Sequence, residues 1–271
     1  MVDSKNSHNL ARNIRVNALR MVHRAHASHI ASALSIVDIL AVLYGQVMNI
    51  GPDLIESELR DRFILSKGHA CVALYSTLAE MNIIARGELE TYGQDFSWLM
   101  NHVSHKVAGV EFSTGALGHG LPFGVGKSLA AKISNQDWRV FVLLSDGEMD
   151  EGSNWEGLMF AAHHHLNNLT AILDYNKLQS LDTISNTLGL EPLRAKLESF
   201  GWLVREIDGH NHGELHDALS VRLVDKPLFI IAHTIKGKGV SFMENKVEWH
   251  YKNPNDSQLA FALLELGEGN A

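Results

Sequence analysis

The sequence predicts an α/β fold, a parallel sheet with helices on both faces, and three observations predict it. Residues 140–144 and 169–175 are short, largely apolar runs that stop abruptly, at Ser145-Asp146-Gly147 and at Asn176. The stretch between them reads as a helix, long enough for a crossover between parallel strands, which takes about a dozen residues or more. From Glu191 onward the pattern continues as helix, strand, helix, strand, an alternation that means a parallel sheet covered on both sides.

Taken in order, residues 7–27 and 35–48 read as helices. In the second, Ile36, Ile39, Leu40, Leu43 and Val47 recur at helical spacing and give one apolar face. Residues 62–65 form a short strand, followed by Ser66-Lys67-Gly68-His69-Ala70 and a helix through Met81. Residues 101–126 hold six glycines, too many for a strand or helix interior before about Leu121, and a backbone so rich in glycine can lie against a flat ring. After the strand at 140–144 a helix begins near Ser153, where Ser153 and Glu156 fit a Ser-x-x-Glu capping box. The later elements are a strand at 169–175, a helix from Glu191, a strand at 202–207, a helix at 214–224, a strand at 228–232 and a short docking helix at 257–266. No Pro-, Gly- or Ser-rich linker interrupts the chain, so residues 1–271 are expected to form one domain.

Composition narrows the function. With 45% hydrophobic residues and 20% charged, the chain can bury a full core. A formal charge of −8 argues against a nucleic-acid or anionic-membrane binder, while leaving room for a local anion site. No apolar run approaches the roughly 20 residues of a membrane span, and the polar start MVDSKNSHN suits a soluble cytoplasmic protein. The single Cys71 cannot form an internal disulfide, which agrees with a reducing compartment, and it reads as a small buried apolar residue. His163, His164 and His165 are consecutive on a helix, point about 100° apart and cannot converge on one metal.

The two abrupt strand ends carry the chemistry. Asp146 and Asn176 stand 30 residues apart, about the length of one strand, helix, strand unit. They therefore meet at adjacent carboxyl ends, where open α/β sheets bind ligands. One carboxylate with one neutral amide is what Mg²⁺ accepts when phosphate oxygens, a carbonyl and water fill its other positions. Asp-Gly after a strand is also ordinary turn chemistry, as is Asn at a strand end. Elsewhere, Gly68 before His69 at a helix start sets backbone amides and an imidazole to face an anion. Lys67 could add a charge there, although it reads as solvated by default, as do the two lysines of the loop after residue 232, Lys236 and Lys238.

The ordered series Ser145-Asp146-Gly147, acidic loop, helix, strand, Tyr-Asn-Lys-Leu resembles the thiamine diphosphate fingerprint of the transketolase family, with Ser145 where the family usually has Gly. The resemblance implies the family's thiamine diphosphate-binding fold. It also implies that Asp146, Asn176 and the main-chain carbonyl of Leu178 hold Mg²⁺, with Ca²⁺ or Mn²⁺ as substitutes, and that Gly147 joins them at the cofactor. Ser-Lys-Gly-His resembles the family's Ser-x-Gly-His, which brings His69 to the diphosphate. Thr-Gly-Ala-Leu-Gly-His-Gly resembles Thr-Gly-x-Leu-Gly-Gln-Gly, which gives Gly115 and Leu117 the aminopyrimidine side, with His119 in place of Gln. HRAHASHIAS resembles the Ser-Gly-His-Pro-Gly turn, with His29 at the substrate-channel histidine; the alternative for His29 is a hydrogen-bonded packing role. His102 has the spacing of the family's His-Pro-Glu histidine, although Val103 and Ser104 follow it, and His105 is its rival. Lys-Gly-Lys-Gly and Trp-His resemble the family's tail, with His250 contacting the diphosphate. The resemblance also assigns Glu151 and Glu156 to a dimer interface.

The resemblance spans residues 6 to 266 and reaches only the diphosphate-binding domain. It implies the amino-terminal subunit of a split transketolase, which transfers a two-carbon ketol group from a ketose to an aldose. The companion chain carries the pyrimidine-binding domain and forms a dimer of heterodimers with this one. The substrate is expected to be a sugar phosphate or a related, less common phosphorylated or sulfonated ketose. Two other readings stand beside this one, the diphosphate-binding subunit of a 2-oxoacid dehydrogenase or synthase, and a non-catalytic cofactor-binding relic.

Overall fold

The structure, a computed structural model, describes residues 6–222 and 224–268; the polar opening at 1–5 lies outside them. Five strands, β1 (Arg62–Leu65), β2 (Val140–Ser145), β3 (Leu169–Tyr175), β4 (Leu203–Asp208) and β5 (Leu228–His233), pair in the order β1-β2-β3-β5-β4. Each of these pairings is parallel. The flanking helices are α1 (Ser7–Ala25), α2 (Ile30–Leu34), α3 (Val37–Val42), α4 (Cys71–Glu80), α5 (Gly120–Ile133), α6 (Gly152–His163), α7 (Ile184–Thr187), α8 (Leu193–Ser199), α9 (His212–Leu219) and α10 (Asp256–Glu265).

Alternation along each strand builds two cores. Phe63, Phe141, Leu143, Ile172 and Ile230 pack with α1 to α4 and α9, while Ile64, Val142, Leu144, Leu173 and Ile231 face α5, α6 and α8. Both β2 and β3 are buried along their whole length, which explains why their sequences carry almost no polar residue. Among the described residues no helix is long and apolar enough to cross a membrane.

The register places the site. Ser145 of β2 pairs with Asp174 of β3, and Asp174 with Ala232 of β5, so three central strands finish side by side. The segments that follow them, 146–150, 176–180 and 234–239, therefore open on one point.

Three expectations are corrected. Residues 35–48 are not one helix with one apolar face: α2, α3 and a π turn (Leu43–Val47) follow one another, and residues 36–44 are buried throughout. A segment wedged between α1, α4 and α9 needs apolar residues all round, and periodicity cannot report that. The Ser153-Glu156 capping box does not form, because α6 is capped at Glu151 without a side-chain bond and Ser153 Oγ donates to Gly118 O at 2.6 Å. The helix expected at 214–224 is α9, which starts earlier, where Asn211 accepts from Gly213 N and Glu214 N, and ends at Leu219; Leu223, within the expected span, lies outside the described residues.

Candidate functional site

A cavity of about 260 Å³ opens at the carboxyl ends of the central strands. His29, His69, His102, Gly115, Leu117, Asp146, Gly147, Asn176, Leu178 and His250 all line it, so the structure brings these ten residues together, while His119, Glu151 and Glu156 lie outside its lining. His105, the rival of His102, is exposed, its Nδ1 2.8 Å from Ser113 Oγ.

The floor is a buried polar network. Asp146 ends β2 and accepts from Gly147 N at 2.8 Å and from Lys177 N at 2.7 Å, which ties the end of β2 to the end of β3. Asn176 donates from Nδ2 to Asp174 Oδ2 at 3.1 Å and accepts from Leu178 N on Oδ1, also at 3.1 Å. Asp174 is fully buried and further accepts from Ser35 Oγ at 2.6 Å, Lys67 Nζ at 2.5 Å and Thr234 Oγ1. Glu148, also fully buried, accepts from Ser66 Oγ, Gly118 N and Ser145 N, and so ties the glycine-rich loop to the ends of β1 and β2.

Two lysines expected in solvent are inside. Lys67 is 1% exposed, because its ammonium finds the Asp174 carboxylate and Ser32 O. Lys236 is equally buried and donates to Leu178 O at 3.0 Å, Gln179 O at 2.9 Å and His250 Nδ1 at 3.1 Å. Lys238, the next lysine of the loop, stays partly exposed, 3.9 Å from Glu244. Sequence reading missed Lys236 and Asp174 as parts of this site and left Lys67 between an added charge at the anion site and a solvated lysine. The available signal was Asp174 itself, a carboxylate inside an otherwise apolar strand, which needs a buried partner.

Burial sets the charge states. It pushes the Asp146 carboxyl up to about 7, and the nearby Asp174 carboxylate pushes the same way. Asp174 goes the other way: against the cost of burial, Lys67 and the hydrogen bonds around it hold its pKa below the usual range. Burial, then the charge of Lys67, lowers Lys236 to about 8. Burial likewise lowers His29 to about 4, His250 to about 3, and His69 and His102 below the ordinary imidazole value. The four imidazoles are thus neutral at pH 7 and gathered closely, with ring centroids 4.9 Å apart for His29 and His250, 5.3 Å for His29 and His69, and 6.0 Å for His29 and His102. His29 holds a left-handed backbone, with φ at 70°, and its buried Nδ1 has no hydrogen-bond partner among the described residues. Gly115, at φ 147°, lies so close to His102 that an added Cβ would sit 2.8 Å from the ring.

Buried ammonium groups, imidazoles, a carboxylate, an amide and a main-chain carbonyl line one cavity at the strand ends, where open α/β sheets bind ligands, which defines an α/β protein with a polar cleft there. Comparison with known proteins gives the family. Residues 6–267 match the thiamine diphosphate binding domain of transketolase, and the chain belongs to the transketolase family. It is 40% identical over 259 residues to a subunit of the apulose-4-phosphate transketolase of Phocaeicola vulgatus, covering 94% of this chain and 91% of that one. It is 36% identical over 261 residues to the 6-deoxy-6-sulfo-D-fructose transketolase subunit SqwG of a Clostridium species, covering 95% of each. Among solved structures, transketolase from Leishmania mexicana superposes with a TM-score of 0.88 at 27% identity, over 97% of this chain but 41% of the other. The fold is thus the transketolase thiamine diphosphate-binding fold, and the family match favours transketolase over the 2-oxoacid dehydrogenase and relic readings.

Proposed function

We propose that this chain is the amino-terminal subunit of a two-chain transketolase, binding thiamine diphosphate through Mg²⁺ and transferring a two-carbon ketol group from a ketose to an aldose. The observation that carries the split is the kind of relative matched almost end to end: two proteins named as transketolase subunits, of which 91% and 95% are covered. The companion would carry the pyrimidine-binding domain, and the two chains would form a dimer of heterodimers with Glu151 and Glu156, both exposed, at an interface. Residues 1–271 then act as one domain, and the buried lone Cys71 agrees with a cytoplasmic setting.

The residues present fit a metal-bound diphosphate. Asp146 is a buried carboxylate short of positive charge, since its pKa is raised by burial and by Asp174. A divalent ion supplies that charge. Asp146, Asn176 and the Leu178 carbonyl are all oxygen donors, the set Mg²⁺ takes. His69 and His250 offer ring nitrogens to a diphosphate and Lys236 its nearby charge, and Gly115, Leu117 and Gly147 offer backbone that a planar ring can approach closely. When bound, thiamine diphosphate supplies the electron sink for breaking and making the ketose carbon–carbon bond. The chain's own contribution is to orient the diphosphate, exclude water and present neutral imidazoles, His29, His102 and His250, that can hand protons to and from substrate oxygens.

The two relatives are named for a phosphorylated and a sulfonated ketose. We therefore propose a donor with an anionic group far from its carbonyl, gripped by the companion chain. Mixing this chain with candidate companions, thiamine diphosphate, Mg²⁺ and a panel of such ketoses tests the reading. Turnover is expected from the mixed pair and from neither chain alone; full turnover by this chain alone overturns it.

A further inference from the structure

Behind the cavity lies a second buried cluster, which the proposed function does not use. Asp38 of α3 accepts both guanidinium arms of Arg15, Nη1 at 3.0 Å and Nη2 at 2.6 Å, and faces His210, in the loop before α9, and His212, the first residue of α9. His210 Nδ1 lies 2.7 Å from Asp38 Oδ2, and His212 Nε2 lies 3.2 Å from Oδ1. Against the cost of burial, these hydrogen bonds and Arg15 hold Asp38 far below the usual carboxylate range, so it accepts only. The other nitrogen of His210, Nε2, accepts the backbone N–H of Ile235 at 2.8 Å.

Those two bonds leave His210 a single state. Its one ring proton sits on Nδ1, facing the carboxylate, because Nε2 must be bare to receive an N–H. Ile235 precedes Lys236, the buried lysine of the cavity. On the other side of that lysine, Gly237 donates its N–H to Ala31 O at 2.9 Å, and Lys238 O accepts from Arg15 Nε at 3.1 Å. The turn is thus pinned on both flanks, and the lysine at its apex has one reach. Its ammonium can only donate, so His250 Nδ1 must accept and the His250 ring proton sits on Nε2.

We propose that Asp38 and His210 are positioning residues which, through the Ile235 amide and Lys236, lock His250 as its Nε2–H tautomer and present that proton to a ligand in the cavity. The use of this proton on a diphosphate rests on the proposed function; the relay of tautomers does not.

The test needs no cofactor. The chain is labelled with ¹⁵N-histidine, and long-range ¹H–¹⁵N spectra are recorded at pH 7, with His250 and His210 assigned by the signals lost in His250→Gln and His210→Asn. A locked neutral imidazole shows two widely separated ring nitrogens, and a mobile one shows averaged values. The wild type is expected to show His210 locked with its proton on Nδ1 and His250 locked with its proton on Nε2. His210→Asn keeps a donor near Asp38 but removes the acceptor of Ile235, and His250 should move to averaged values. Lys236→Met, which touches no member of the Asp38 cluster, should release His250 in the same way. A wild-type His210 protonated on Nε2, a wild-type His250 already averaged, or an unchanged His250 in either folded variant overturns the proposal. If His210→Asn fails to fold, the wild-type tautomers and Lys236→Met still decide it. Separate titration of the wild type with Mg²⁺ and thiamine diphosphate reports on the proposed function alone, so the two failures are distinguishable.

Discussion

Asn176 donates its side-chain N–H to Asp174, 3.1 Å away, and this one bond decides which end of the amide faces the cavity. With Nδ2 committed to a fully buried carboxylate, Oδ1 is turned outward, held by Leu178 N and with a second lone pair to offer a cation. The same carboxylate neutralises Lys67, so one buried side chain orients an amide and balances a charge.

Asp174→Asn follows from this. The substitution keeps the shape and leaves Lys67 buried without its counter-ion, a change that costs about 3–5 kcal/mol when a buried pair is broken. Urea unfolding measures the loss. A cost below about 1 kcal/mol, typical of exposed pairs, would show that Lys67 finds other compensation. A surviving fold should also bind metal about 10- to 100-fold more weakly, as loss of an orienting partner does.

The cavity histidines make stability depend on pH. In the unfolded chain His29 takes up a proton near 6.5, whereas in the folded chain burial, first of all, holds it off until about 4. Between those values the unfolded state binds more protons, so stability falls as pH falls through that window and is fully present above 6.5. His250, lowered to about 3, acts in the same direction. Urea midpoints followed from pH 7 to pH 5 should drop in the wild type and drop less steeply in His29→Gln. Parallel curves would contradict the assignment.

Gly115→Ala should damage the site more than the fold. A residue with a Cβ pays about 1–3 kcal/mol for a backbone this unusual, and the new methyl meets the His102 ring at 2.8 Å. The ring must move, so turnover by the mixed pair is expected to fall at least about tenfold, the rate cost of roughly 1.4 kcal/mol of lost transition-state binding. Unfolding measurements and steady-state rates check the two effects separately, and unchanged turnover would show that His102 is not held by that contact.

The strand ends are legible in the sequence, and the buried cations are not. Asp146 and Asn176 stand out because each closes an apolar run, and their spacing alone places them at neighbouring strand ends. The histidines at 29, 69, 102 and 250 emerge only through resemblance, being too scattered along the chain for any local pattern to unite them. Lys67 and Lys236 read as solvated by default because a lysine beside glycine normally is. Their burial depends on Asp174 and on the carbonyls of Leu178 and Gln179, partners 107, 58 and 57 residues away in sequence. Ser153 fails as a cap for a similar reason, since its hydroxyl is taken by Gly118 O, which only the packing of the glycine-rich loop brings near. The break within 35–48 is invisible because a segment buried on every side has no polar face to betray its period.

The most direct test of the metal-diphosphate site is calorimetric titration of thiamine diphosphate with Mg²⁺ into the wild type and Asp146→Ala, each alone and mixed with the companion chain. The account predicts binding by the wild type that depends on the metal, and a loss on the order of 100-fold or more in Asp146→Ala, since removing a ligand outright exceeds the effect of removing its support. Equal, metal-dependent binding by both proteins would contradict the placement of the metal at Asp146, Asn176 and Leu178.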